Sequence, residues 1–356
     1  MAIWGHGKRL PRLAAFSILL LLAGCATGGN TPFVNLVPET AGSLVLPPPP
    51  ETPRVRYLYS VRSPRPASPQ GKAGALLSGF NADGDAGQDK EVFKSPISIA
   101  ATPQGSLCIV DQADSLLLQL KTDSGEWKVL EPLADRPLSS LIGLSADAKG
   151  SLYLTDSVLG RVFRMGYDHG RLEPFAADYP FARPTGVAYD QLNDRVYVVD
   201  TVASKVIAFD PDGKKVGEFG RRGTSEGEFN YPTFIGCDRS GNIYIADTLN
   251  FRVQSFTADG EFRFSIGSLG DGQGQFSVPK GVAVAPDGTI YVVDGRLDRV
   301  QAFAPDGKFL FEFGASGSAP GQFWSPNGIY VDGKDRLYVC DYLNNRVQVF
   351  QVLGER

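Results

Sequence analysis

Short apolar runs, each ended by an aspartate, recur along the chain: Leu107-Cys108-Ile109-Val110-Asp111, Leu152-Tyr153-Leu154-Thr155-Asp156, Val196-Tyr197-Val198-Val199-Asp200 and Ile290-Tyr291-Val292-Val293-Asp294. Their length and their β-branched and aromatic content predict strands. The aspartates, Asp111, Asp156, Asp200, Asp247, Asp294 and Asp341, fall at intervals of 45, 44, 47, 47 and 47 residues. Periods of this size belong to propellers and solenoids. Thirteen or fourteen residues before each aspartate a first strand opens at a small residue, Ser98, Gly143, Gly186, Gly281 or Gly328, with Phe234 in the fourth copy. Five residues after it a basic residue opens a third strand: Arg161, Lys205, Arg252, Arg299 and Arg346, with Leu116 in the divergent first copy. Most copies add a fourth strand, such as Phe309 to Gly314.

The turns set strand direction. Pro286-Asp287-Gly288 and Arg239-Ser240-Gly241 stand between strands one and two, and Pro211-Asp212-Gly213, Ala258-Asp259-Gly260 and Pro305-Asp306-Gly307 between three and four. Such turns make tight antiparallel hairpins. Four antiparallel strands repeated six times predict an all-β fold, a six-bladed β-propeller. The sixth copy stops after its third strand, with only Gln351 to Arg356 left. The alternating run Arg54 to Arg62 lies outside the complete repeats and is expected to pair onto the last blade, closing the ring and removing an open edge. A second recurring signature, F-x-x-P, at Phe93, Phe181, Phe229, Phe276 and Phe323, is read as a plug between blades.

The repeat resembles the NHL family, whose module reads roughly P-x-G-V-A-V, D-G-x-I-Y-V-A-D and N-x-R-V-Q-V-F. Copies four to six carry the likeness best, in Ile243 to Gln254 and Leu337 to Phe350. The resemblance covers about residues 93 to 351 and implies a fold more than an activity.

At the N-terminus Lys8, Arg9 and Arg12 precede the apolar stretch Leu13 to Leu22, which is too short for a membrane span and suits a signal peptide. It runs into Leu22-Ala23-Gly24-Cys25, similar to the lipobox of bacterial lipoproteins. That resemblance implies cleavage before Cys25, diacylglycerol on its sulfur and an acyl chain, typically palmitate, on the new amino terminus. Ala26 stands where an Asp would signal inner-membrane retention, so the outer membrane of a bacterial envelope is expected. The expected layout is signal peptide 1–24, lipidated Cys25 and Pro-rich tether 25–53, ring-closing strand 54–62, irregular connection 63–94 and propeller 95–356.

Composition narrows the partners. Loss of the signal peptide removes three positive charges and no negative ones, taking the formal charge from −4 to −7, and no basic run is present, so nucleic acid is not expected. Cys108, Cys237 and Cys340 each lie in an apolar strand and read as buried free thiols. No Cys-x-x-Cys-His appears, so no c-type haem is expected. The expected partners are the membrane, through the lipid, and another envelope protein. The propeller itself is expected to be monomeric.

In alternating antiparallel blades the long two-to-three and four-to-one connections share one face, which is the expected working surface. The six aspartates lie there. Their expected role is structural, each pairing locally with the basic residue five positions on. Related propellers include lyases that rely on histidines, yet this chain has two, His6 in the signal peptide and His169 in a turn. Calcium-dependent lactonases of this shape need acidic and amide oxygens around the channel. The six ring positions here are Ile97, Ile142, Thr185, Thr233, Lys280 and Asn327, without a carboxylate. A calcium-like run, Asn81 to Asp85, lacks its turn glycine and closing Glu, leaving calcium a weak candidate and no metal or cofactor predicted. The candidate binding face comprises Arg183, Thr185, Arg221, Arg222, Tyr231, Thr233, Lys280, Trp324, Asn327 and Tyr342, rich in the residue types that anchor interfaces. The expectation is a non-catalytic binding scaffold. The alternative is a metal-dependent lyase or hydrolase of the propeller type with a non-histidine site.

Overall fold

The structure is a computed structural model that describes residues 35–37, 44–48, 50–62, 94–122, 126–130, 137–167 and 171–354. The segment 1–24 read as a signal peptide, Cys25, Asn81 to Asp85, Phe93 and His169 lie outside the described residues. Five four-stranded antiparallel sheets and one six-stranded sheet form six blades. The innermost strands are Pro96–Ala101, Leu141–Ala146, Pro184–Asp190, Pro232–Cys237, Pro279–Val284 and Pro326–Val331. Each contacts the innermost strand of the next blade, and the last contacts the first, so the ring is closed.

The first-strand glycines Gly143, Gly186, Gly281 and Gly328 are explained by that contact. A Cβ on Gly186 would lie 2.7 Å from Thr233 O, and one on Gly281 would lie 2.5 Å from Asn327 O. Backbone, which cannot swing aside, is what each would meet. The apolar faces of the sheets are buried between neighbouring blades. Ala188, Tyr197 and Val206 of blade three meet Ile243, Ile245 and Phe256 of blade four, with Phe229 fully buried among them. Phe276 and Phe323 sit the same way at the next two junctions, as the F-x-x-P reading expects.

Three N-terminal strands complete blade six: β1 (Asn35–Val37), β2 (Val45–Leu46) and β3 (Val55–Arg62). Strand β3 pairs antiparallel with Arg346–Val352, from Val347 opposite Val61 to Val352 opposite Val55. It is the ring-closing strand the sequence predicts. Strands β1 and β2 pair along its other edge. The Pro-rich segment read as tether therefore supplies two further strands to the blade, a correction to the expected layout. Strands of three and two residues leave no periodicity to read.

Of the thiols, Cys108 and Cys340 are buried and Cys237 is half-buried, all three free. Burial pushes the Cys108 thiol up to about 12.

Candidate functional site at the channel mouth

The six aspartates tie the face together. All are essentially buried. Asp156 Oδ2 accepts the N–H groups of Ser139 and Ser140, which lead into the first strand of blade two, while Oδ1 accepts those of Val158 and Leu159 in the turn after the second strand. Asp111, Asp200 and Asp294 hold the same two segments through backbone N–H groups. Each carboxylate thus satisfies loop donors that would otherwise be orphaned. Burial raises the carboxyls of Asp111, Asp247 and Asp341, and the hydrogen bonds they accept oppose it.

The expected pairing with the basic residue five positions on forms in two blades. Arg252 Nε donates to Asp247 at 2.9 Å and Arg346 Nε to Asp341 at 2.6 Å. In blade three Lys205 pairs with Glu218 instead, in blade five Arg299 lies 2.9 Å from Glu312, and Arg161 is exposed. The difference traces to the turn. Blades four and six carry Asn250 and Asn344 three residues after the aspartate, in 3₁₀ turns closed by Phe251 and Asn345 at φ 56° and 52°. The asparagine amide donates to the carboxylate, joined by Gln254 or Gln348 from the next strand and the arginine. Where Leu159, Ala203 or Leu297 stands at that position, its backbone N–H takes the carboxylate instead.

Two of the expected binding residues are absorbed by the fold. Thr185 Oγ1 donates to Thr233 O across the blade boundary at 2.8 Å and hydrogen-bonds Thr201 Oγ1 at 2.8 Å. Thr233 Oγ1 bonds Thr248 Oγ1 at 2.7 Å, and Thr248 in turn donates to Pro279 O at 3.0 Å. These hydroxyls join blades three, four and five, so neither is free to read a ligand. Asn327 is buried with Nδ2 donating to Ser325 O, and Tyr342 is partly buried, donating to Gln112 Oε1 across to blade one. Arg221 is paired with Glu228 in the loop between blades three and four, and Arg222 is exposed beside it.

Arg183, Tyr231, Lys280 and Trp324 remain. The Arg183 guanidinium lies over the Tyr231 ring, 5.7 Å from its centroid, and Nη1 donates to the Tyr231 hydroxyl. Tyr231 holds φ 58°, a left-handed conformation uncommon for a bulky residue. Trp324 is 57% exposed. Lys280 is half-buried and, among the described residues, has no hydrogen-bond or ion-pair partner. Burial lowers its ammonium below the usual lysine range, and the positive charge of Arg183 lowers it further.

The sequence reading missed the second residue after each aspartate. Val158, Val202, Leu249 and Leu343 occupy that position in four blades and stand 69, 57, 48 and 47% exposed on this face. Aligning the copies on their aspartates would have shown the repeat of apolar residues in an outward turn. Below the mouth, the channel is a cavity of about 190 Å³ lined by the innermost strands, and at its far end lies one of about 680 Å³ bordered by Tyr189, Leu192, Arg239 and Asp332.

A divalent cation does not fit the mouth. The ring positions offer no carboxylate, the nearby aspartates spend their oxygens on N–H donors, and an ammonium occupies the ring in blade five. Among the described residues no three His, Cys, Asp or Glu side chains converge.

Residues 80–268 match the SMP-30/gluconolactonase/LRE-like region, and residues 323–350 match the NHL repeat. Among solved structures, the chain is similar to virginiamycin B lyase from Staphylococcus aureus at 15% identity, covering 73% of this chain and 96% of that one with a TM-score of 0.54. A gluconolactonase from Xanthomonas campestris matches at 16% identity over 73% and 87%, with a TM-score of 0.56. An auxiliary nutrient binding protein from Bacteroides thetaiotaomicron matches at 14% over 72% and 69%, with a TM-score of 0.59. At these identities the likeness is one of fold, shared by enzymes and binding proteins alike. With more than half its length matched, the chain belongs to the SMP-30/gluconolactonase/LRE-like family, built as a six-bladed propeller that ends in an NHL repeat.

Proposed function

We propose that this propeller is a docking module without catalysis of its own, which holds a protein partner on the face of the two-to-three and four-to-one connections. The observation that carries the reading is the ring of outward apolar side chains in the turns of four blades, continued by exposed Trp324 and Tyr231. Aromatic and arginine side chains ringed by apolar contacts are the usual anchors of protein interfaces. The lipobox-like Leu22 to Cys25 adds a place to the reading: a lipid on Cys25 would hold the propeller at a bacterial envelope, on the outer membrane.

Cross-linking mass spectrometry on the full chain in its native membranes tests this. One recurring protein linked to Lys280 or Lys94 in the unaltered chain, and lost from Leu249→Asp and Trp324→Ala variants, supports docking. Unchanged links in both variants would overturn it.

Family membership favours a second reading, a metal-assisted hydrolase or lyase acting at the same mouth. Its donor set speaks against it, since Lys280 stands where a cation would need oxygen ligands. Hydrolysis of a panel of sugar lactones by the purified chain with calcium or zinc, lost on changing a mouth residue, would replace the docking reading with this one.

A further inference from the structure

Blade five breaks the threonine pattern of blades three and four at two positions together. Where Thr185 and Thr233 stand, it has Lys280, and where Thr201 and Thr248 stand, it has Gly295. The two changes fit one another. A Cβ on Gly295 would lie 3.1 Å from Lys280 Cγ and 3.8 Å from its Cε, so the lysine stem runs alongside this glycine. Gly295 directly follows Asp294 in the turn, at the docking face, which carries the ammonium toward the mouth rather than down the channel. Arg183, held over Tyr231, is a second cation, near enough for its charge to bear on the Lys280 ammonium. Neither has a carboxylate partner among the described residues. A half-buried ammonium without a counter-charge, with a second cation near it, costs stability, and such a cost persists where function uses it.

The surroundings select the kind of anion. Phosphate sites draw heavily on backbone N–H groups. Here those of Arg183, Asn230, Val278 and Trp324 are already given to ring aspartates. The two side-chain cations, beside the exposed aromatic rings of Tyr231 and Trp324, are a setting for a planar, singly charged group that a guanidinium grips well.

We propose that Lys280 and Arg183 form a seat for one carboxylate of the docked partner, so that the partner presents an acidic side chain within an apolar patch. The source of the carboxylate rests on the docking reading; the seat itself is testable without a partner. The lysines of the full chain are reductively methylated with ¹³C and followed by NMR, with Lys280→Met assigning the Lys280 signal. The probe is N-acetyl-glutamate methylamide, whose single carboxylate is a side chain, and the neutral control is N-acetyl-glutamine methylamide. The expected result is a saturable shift of the Lys280 signal with the glutamate probe alone, weakened about tenfold by Arg183→Gln, the loss of one charge-assisted contact. Arg183 is exposed, so this variant keeps the fold. A Lys280 signal that ignores the glutamate probe, or follows the glutamine control equally, overturns the seat. Tighter binding of inorganic phosphate than of the glutamate probe overturns its assignment to carboxylate. If the probe seats but no protein cross-links to the face, the seat stands and docking falls. If a partner cross-links but binds Lys280→Met and Arg183→Gln as well as the unaltered chain, docking stands and the seat falls.

Discussion

Replacing Tyr57 by alanine tests how far the ring depends on a strand from the other end of the chain. Tyr57 lies in β3, fully buried between blades five and six, with Phe350 edge-on at 5.7 Å and its hydroxyl 2.8 Å from Ser60 Oγ. Truncating a buried aromatic to alanine costs about 3–5 kcal/mol through lost transfer energy and the cavity left behind. In a domain of this size that lowers the melting temperature by roughly 10 °C. Arg56 is the control, because it occupies the adjacent position of the same strand, points outward and is exposed. Arg56→Ala should stay within about 0.5 kcal/mol. Thermal and urea denaturation of the full chain, followed by tryptophan fluorescence and circular dichroism, compare the three proteins. Equal stability of Tyr57→Ala and the unaltered chain would mean that β3 is not needed to hold blade six closed, and the closure argument would be wrong. A loss as large for Arg56→Ala would show a general effect of altering the segment rather than burial of one face.

Three further outcomes follow from the same geometry. Arg346 is fully buried, donating to Asp341 and to the carbonyls of Ser318, Ala319 and Gln322, whereas Arg161 at the same repeat position is exposed. Asp341→Ala, which leaves that guanidinium without its counter-charge, should cost about 3–5 kcal/mol, and Arg161→Ala under about 0.5, by urea denaturation; equal costs would restore the uniform aspartate–arginine clamp. Gly281→Ala drives a Cβ against the backbone of blade six and should cost about 2–4 kcal/mol, while Gly333→Ala, with open space around the added carbon, should be near neutral in thermal melts. The Lys280 ammonium loses its proton more readily folded than unfolded, so the unfolded chain binds the extra proton across the interval between the two values and stability rises with pH there. Lys280→Met should abolish that slope and stabilise the protein at neutral pH, and a variant no more stable than the parent at pH 7 would show that the ammonium is not strained.

The period of the aspartates and the turn trios carried the fold because every copy must solve the same problem, a tight hairpin followed by an outward loop. Closure was legible for a related reason: an unmatched alternating segment and an unfinished blade are complementary absences. The aspartate's partner was harder to read. The basic residue recurs in five copies, yet the geometry is set two residues earlier, where an asparagine brings its side chain to the carboxylate and another residue offers its backbone N–H instead. Thr185 looks like a free hydroxyl in the sequence because the carbonyl that occupies it, Thr233 O, lies in the next blade, and Thr233 looks free because its partner is the hydroxyl of Thr248, which itself reaches Pro279 O of blade five. The apolar turn residues were passed over because single exposed apolar side chains are ordinary on a surface, and only the superposition of copies turns four of them into a ring.

That superposition also says where on the mouth recognition should fall. The conserved work of the blades, loop tying by aspartate and close approach at the first-strand glycine, is met in nearly every copy and leaves no group to spare. Blades one and two present Ile97 and Ile142 to the ring, both buried, and blades three and four spend their threonines on blade-to-blade hydrogen bonds. The departures that leave exposed or unpaired groups run from blade three round to blade six: Arg183 and Tyr231 at the junction of blades three and four, Lys280 with Gly295 in blade five, Trp324 at the start of blade six. Binding through them is off the propeller axis. A partner seated there would be insensitive to Val158→Ser in blade two and sensitive to Leu249→Ser in blade four, although both side chains hold the same place in their repeats. Equal losses of partner binding, measured by co-precipitation of the cross-linked protein, would instead mean that the partner covers the whole ring and that the cations of blades three and five are incidental to its placement.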